Sequence, residues 1–184
     1  MPFTFHPTEF RGLTVVEPKV FPDSRGYFLE TFKNSDFAAN GITEAFSQDN
    51  QALSSRGALR GLHFQKEPYA QAKIVRVIQG AVFDVAVDIR KESDTFLRHF
   101  TITLSGENKK MLYVPVGFAH GYLSLENNTI FVYKCSGMYS PEHEAGIRWD
   151  DPGLGISWPV EDPVVSEKDR KLPFSADFFR INSK

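Results

Sequence analysis

The sequence predicts an all-β fold, a double-sheet roll of short antiparallel strands, and three observations carry that prediction. Apolar runs of strand length recur along the chain, turn residues separate nearly all of them at fairly even spacing, and 17 of the 184 residues are phenylalanine. Aromatic side chains favour half-buried pleated surfaces and the walls of ligand sites. No internal repeat, low-complexity tract or linker interrupts the pattern, so residues 1–184 read as a single domain.

In chain order, the candidate strands cover residues 13–21, 26–32, 45–53, 58–65, 73–78, 81–89, 96–104, 110–114, 121–125 and 129–135. Asp23-Ser24-Arg25-Gly26, Gln79-Gly80, Ser105-Gly106-Glu107-Asn108 and Asn127-Asn128 are turns, because these residues tolerate positive φ or bond their own backbone. Only residues 35–40 read as helix, with Ser35 as the cap and Gly41 as the stop. Alternation is clearest where Phe83, Val85, Val87 and Ile89 interleave with Val82, Asp84, Ala86 and Asp88. The face that carries the two acids is expected to be wet or to line a cavity. Closing many short strands into two facing sheets removes exposed edges and leaves an interior pocket, which makes a cupin-like jelly roll the expected architecture.

Composition excludes several classes of function. With 21 Lys and Arg against 23 Asp and Glu, the net charge of -2 offers no polyanion surface of the kind nucleic-acid proteins carry. No apolar run reaches membrane-helix length, since Arg76, Asp84 and Asp88 interrupt the richest stretch. The single cysteine, Cys135, and an N-terminus without signal-peptide character point to a reducing, cytoplasmic setting.

Candidate chemistry is sparse when each residue is read alone. Arg60 and His63 are three apart, so a regular strand sends them to opposite faces, but Gly61 between them invites a bulge that turns both to one cavity. Lys73 opens an apolar strand, where it is either solvated or aimed inward. His120 follows the rigid segment Pro115-Val116-Gly117-Phe118-Ala119, and Tyr133 shares a strand face with Phe131 and Cys135. Packing explains each, read alone, more readily than catalysis does. The run Ser166-Glu167-Lys168-Asp169-Arg170-Lys171 reads as a solvated charged segment. Metal-binding cupins cluster histidines as His-x-His, whereas here Phe64 and Gln65 follow His63 and the other histidines, at 6, 99, 120 and 143, are scattered.

Together, Asp23-Ser24-Arg25-Gly26 with Glu30, Gln48-Asp49-Asn50, Arg60-Gly61-Leu62-His63-Phe64-Gln65, Lys73, residues 84–90, Pro115 to Gly121 and Tyr133 closely resemble the dTDP-4-dehydrorhamnose 3,5-epimerase family. The match is collinear over almost the whole chain. The resemblance implies a homodimer that converts dTDP-4-dehydro-6-deoxy-D-glucose to dTDP-4-dehydro-L-rhamnose without cofactor or metal. By motif, His63 is the implied base, Asp169 its orienting carboxylate, Tyr133 the opposing acid and Lys73 the enolate stabiliser. His120 is placed near the sugar. Arg25, Glu30, Gln48, Asp49, Asn50, Arg60, Glu144 and Lys168 are implied to bind substrate, Arg25 and Glu30 from the partner subunit, and Tyr139 matches the aromatic that stacks on thymine. A relative that epimerises C3 or C5 alone, a metal cupin and a non-catalytic jelly-roll binding module are the competing readings.

Overall fold

The computed structural model describes residues 2–181. Among these, the strands are β1 (Phe3–Pro7), β2 (Thr14–Pro18), β3 (Val20–Asp23), β4 (Gly26–Leu29), β5 (Phe46–Ser54), β6 (Ala58–Gln65), β7 (Lys73–Gln79), β8 (Ala81–Asp88), β9 (His99–Ser105), β10 (Met111–Val114), β11 (Phe118–Ser124), β12 (Thr129–Ser136), β13 (Glu144–Gly146) and β14 (Val164–Val165). Three short helices accompany them, α1 (Asn34–Ala39), α2 (Glu167–Arg170) and α3 (Ser175–Ile181). One sheet has the order β1-β2-β10-β7-β12-β5, and the other β13-β6-β11-β8-β9 with β14 added parallel to β6. The mostly β, two-sheet architecture expected from the sequence is the one observed. None of the described helices is long and apolar enough to cross a membrane.

The differences from the sequence reading have local causes. The run at 13–21 divides into β2 and β3, because β2 joins the main sheet while β3 turns away to pair only with β4. The strand expected from residue 96 begins at His99, since Leu97 sits at φ 61° in a turn. The first helix starts at Asn34 with Lys33 as its uncapped N-cap, and the Ser35 hydroxyl donates to Asp36 instead of capping. Gly41 does stop it, at φ 83°. The expectation of one helix is corrected by α2 and α3, which lie in the segment read as solvated charge and beyond it.

Between the sheets, Val75 and Val77 of one meet Val82, Ala86, Tyr122 and Leu104 of the other, with Phe10, Phe118 and Phe131 filling the space. The opposite face of β8, Val85 and Val87, is covered by Leu62, Ile147 and Leu154. Because β8 is buried on both sides, its two acids are not solvated; of the two expectations for their face, wet or lining a cavity, the wet one does not hold. Asp88 accepts from Arg90 Nε and Nη2 at 2.8 and 2.7 Å and from the Ser93 and Thr95 hydroxyls at 2.6 Å. Burial alone would raise its carboxyl, but these donors pull it down to about 2. Asp84 meets a different partner, described below.

The irregularity expected at Gly61 is present. His120 of β11 stands opposite His63 of β6, yet Tyr122, two residues on, stands opposite Arg60, three residues back. One extra residue in β6 is a bulge, and it brings Arg60 and His63 to the same cavity. The bulge depends on two glycines in backbone contact. Gly61 has φ 134°, and a Cβ there would lie 2.5 Å from the Gly121 Cα. A Cβ on Gly121 would lie 2.7 Å from the Arg60 carbonyl. Gly61→Ala is therefore expected to cost about 2–4 kcal/mol, combining a disfavoured φ with overpacking against backbone. Chemical denaturation of the purified variant measures it, and an unchanged midpoint would show that β6 and β11 can separate without penalty.

Candidate active site

The two sheets enclose a cavity of about 540 Å³, lined by Arg60, His63, His120 and Tyr122 from one sheet and by Lys73, Phe131 and Tyr133 from the other. That size suits a small-molecule ligand. A recess of about 130 Å³ shares His63, Lys73 and Tyr133 with it and adds Gln48, Asn50, Tyr139 and Glu144.

His63 is held by Asp169, which accepts from its Nε2 at 2.7 Å. A carboxylate only accepts, so in the neutral ring the proton sits on Nε2 and Nδ1 keeps its lone pair. Nδ1 has no hydrogen-bond partner among the described residues. Asp169 reaches this position on α2, whose first turn is capped by the Ser166 hydroxyl accepting from Asp169 N at 3.1 Å. Gly61 N also donates to Asp169 Oδ2 at 3.5 Å, which ties the bulge to the carboxylate. Burial tends to raise the Asp169 carboxyl, and the bond and charge of His63 outweigh this and lower it.

From the opposite sheet come Tyr133 and Lys73, on neighbouring strands. Burial raises the Tyr133 phenol above its usual range, and Cys135 and Tyr122 add to the effect. A raised phenol is a proton carrier at neutral pH rather than an anion. Lys73 Nζ lies 3.5 Å from the His63 carbonyl, to which it donates, and burial draws its ammonium below the ordinary lysine range. His120 is 6% exposed, and its Nε2 donates to both oxygens of Asp84 at 2.9 and 3.1 Å.

The rim is cationic. Arg60 donates to the Ser54 hydroxyl and the Leu53 carbonyl, each at 3.3 Å, and Lys168 pairs with Glu144 at 2.6 Å. Tyr139, 53% exposed, donates to the other Glu144 oxygen at 2.7 Å. Burial pushes the Glu144 carboxyl up, but these two partners bring it below the usual carboxylate range.

Three residues named from the sequence lie elsewhere. Asp49 alternates with Gln48 and Asn50 on β5, so it projects from the other face of the sheet and pairs with Lys134 at 2.8 Å. Arg25 sits at the tip of the β3–β4 hairpin, where its partner among the described residues is Asp23 at 2.7 Å, and Glu30 follows that hairpin. Neither lines the cavity. Conversely, residue-by-residue reading missed Tyr122 and Ser166. Tyr122 stacks on Phe131 at 4.1 Å and forms the cavity wall. The spacing Ser166-x-x-Asp169 is a helix-start signal that the charges around it obscured. Among the described residues, no three His, Cys, Asp or Glu side chains converge as a metal ion requires.

This geometry can be set beside known proteins. The family model described as dTDP-4-dehydrorhamnose 3,5-epimerase matches residues 7–177. The chain belongs to the dTDP-4-dehydrorhamnose 3,5-epimerase family. The epimerase of Methanothermobacter thermautotrophicus is 51% identical over 171 residues, covering 91% of this chain and 92% of that one. The crystal structure of the Bacillus anthracis epimerase with TDP and PPi bound superposes with a TM-score of 0.92 at 44% identity, covering 94% of this chain and 99% of that one. The Legionella pneumophila enzyme in complex with dTDP-4-keto-L-rhamnose gives 0.90 at 43%, covering 94% and 92%.

The His63–Asp169 bond makes a prediction about coupling. His63→Asn should abolish turnover of the family's substrate, and Asp169→Asn should slow it roughly 100- to 10,000-fold by supporting the wrong tautomer. The double variant should be no slower than His63→Asn alone, because an orienting carboxylate acts only through the base it holds. Single-turnover kinetics on the three variants measures the coupling, and additive losses would assign Asp169 an independent role.

Proposed function

We infer that this chain carries out the reaction of its family, converting dTDP-4-dehydro-6-deoxy-D-glucose to dTDP-4-dehydro-L-rhamnose by inverting C3 and C5, within one domain. The observation that carries the mechanism is the placement of His63 and Tyr133 on opposing sheets of a single cavity. The C4 ketone acidifies the hydrogens on C3 and C5, which are axial on one face of the glucose-configured ring, so one base serves both carbons. His63 takes the proton at Nδ1, and the C–H electrons pass onto the C4 oxygen. The Lys73 ammonium stabilises that enolate where its charge lands. Tyr133 returns a proton to the same carbon from the opposite face, and solvent restores the phenol and the free imidazole. No electron is gained or lost over the cycle.

Arg60 and Lys168 supply the cations that a diphosphate needs, and Tyr139 at the rim offers a flat face for a base. Gln48, Asn50, His120 and Glu144 contact the sugar nucleotide from the walls. Arg25, Glu30 and Asp49 act across a homodimer interface. Supporting this, the β3–β4 hairpin exposes Phe21 at 43%, Tyr27 at 57% and Phe28 at 65%, beside a guanidinium whose side chain is 88% exposed. So many aromatics on one exposed ribbon mark an interaction surface. The protein is assigned to the cytoplasm, a reading supported by its lone, buried thiol Cys135.

Two measurements test these assignments. In deuterated water, Tyr133→Phe leaves the base and Lys73 in place, so deuterium should enter C3 or C5 as His63 returns protons to the face it took them from. Little rhamnose-configured product should form. Proton NMR reads exchange and inversion separately, and inversion at the wild-type rate would remove Tyr133 from the acid role. Replacing both Phe21 and Phe28 by Asp should convert the dimer to monomer in sedimentation equilibrium and raise KM as Arg25 leaves the partner's cavity. A wild-type protein that sediments as a fully active monomer would exclude the shared site.

A further inference from the structure

Asp84 has no role in the mechanism above, yet it is a fully buried acid adjoining the cavity. It lies on β8 at 0% exposure, and both of its oxygens accept from one atom, His120 Nε2. Among the described residues no other donor reaches it. Asp88, on the same face of the same strand, is satisfied by a guanidinium and two hydroxyls. A buried carboxylate answered by a single imidazole is a poor choice for packing alone, since an apolar residue of similar size would cost less. Its value therefore lies in what its charge and its bond do to neighbours.

The bond fixes the ring. With Nε2–H committed to Asp84, Nδ1 is the free nitrogen of His120, and it has no partner among the described residues. His120 stands directly opposite His63 in the strand register, so two imidazoles, each held at Nε2 by a buried carboxylate, line one cavity side by side. The charge reaches further. Lys73 is faced by Tyr133 and Cys135 of β12, His63 of β6, His120 of β11, Asp84 of β8 and Glu144 of β13. Burial lowers its ammonium, while Cys135, Asp84 and Glu144 work against that loss. The Cys135 thiol is pushed up by its own burial and stays neutral, and Glu144 is shared with Lys168 at 2.6 Å. Asp84 is the remaining carboxyl group facing Lys73, and among the described residues no lysine or arginine pairs with it.

We propose that Asp84 is a positioning residue for the epimerisation inferred above, on which this rests: it holds the His120 ring by Nε2 with Nδ1 toward the sugar, directly across the strand pair from His63. Asp84→Asn preserves size, removes the charge and leaves an amide that can turn either its oxygen or its nitrogen to Nε2, so the imidazole tautomer is no longer fixed. Its kcat should fall at least about tenfold with KM within about threefold, by analogy with other orienting carboxylates. The alkaline limb of its pH–rate profile should move to lower pH, because Lys73 loses its proton more readily. Denaturant unfolding should show the variant as stable as wild type or more so. His120→Asn keeps the Asp84 carboxyl, so its kcat should fall about tenfold or more while its alkaline limb stays in place. An unmoved alkaline limb in Asp84→Asn, a moved one in His120→Asn, or a loss of turnover matched by loss of folded protein would overturn the proposal. A wild-type protein that exchanges no deuterium into C3 or C5 would overturn the reaction itself, a separate result from either variant's profile.

Discussion

The close approach of Gly61 and Gly121 is the constraint on which the site depends. Two strands whose backbones touch at this point cannot keep regular pairing, and the extra residue that results turns Arg60 and His63 to the same side. In a regular strand one of the two would face the apolar layer of Leu62, Val85 and Ile147. The same bulge directs Gly61 N at Asp169, so the distortion that aims the imidazole also helps to hold the carboxylate behind it. Backbone irregularity here is a positioning device, and substitution at either glycine acts on chemistry through the fold.

The second feature is the separation of an imidazole and a phenol. Side by side on one strand face the two would pair with each other. Placed on β6 and β12, His63 and Tyr133 belong to different sheets and face one cavity from its two sides. Each sheet also supplies its own electrostatics. The β6–β11 side holds two imidazoles, each paired with a carboxylate. The β7–β12 side holds a lysine and a phenol in a poorly solvated wall, with the phenol raised and the ammonium lowered by burial. Protonated tyrosine and ionised carboxylate thus coexist at neutral pH in one cavity because the sheets give them different surroundings.

Much of this was legible in the sequence because period-two alternation and turn chemistry are local signals. The span 58–65 and the start of β7 at Lys73 match the observed elements at those ends, and the glycine between Arg60 and His63 announced the bulge. What local reading could not supply was long-range pairing. Asp169 is 106 positions from His63, and only the closed roll brings them within 2.7 Å, so its segment looked like a solvated charged run. Asp84 and Asp88 illustrate the same limit. Alternation placed them on one face correctly, but whether that face is wet depends on the second sheet, which a period within one strand does not report. The family resemblance filled that gap for Asp169 and left Asp84 unassigned.

The buried acids show how a fold separates structural from reactive charge. Asp88 is surrounded by a guanidinium and two hydroxyls, and Asp151 accepts from the Gly153 and Ser175 backbone amides. Both are satisfied by donors that do not give up protons near neutral pH, so they anchor loops and do no more. Asp169 and Asp84 each lean on an imidazole, the one side chain whose ordinary range lets it change charge near neutrality. Burial makes both arrangements expensive, but it makes the imidazole pairs responsive as well, because any proton gained or lost by the ring is felt by an unscreened carboxylate. A chain that needed only to close its core would have no use for that sensitivity. Finding an imidazole–carboxylate pair twice, on adjacent strands and opening onto one cavity, sets Asp169 and Asp84 apart from Asp88 and Asp151.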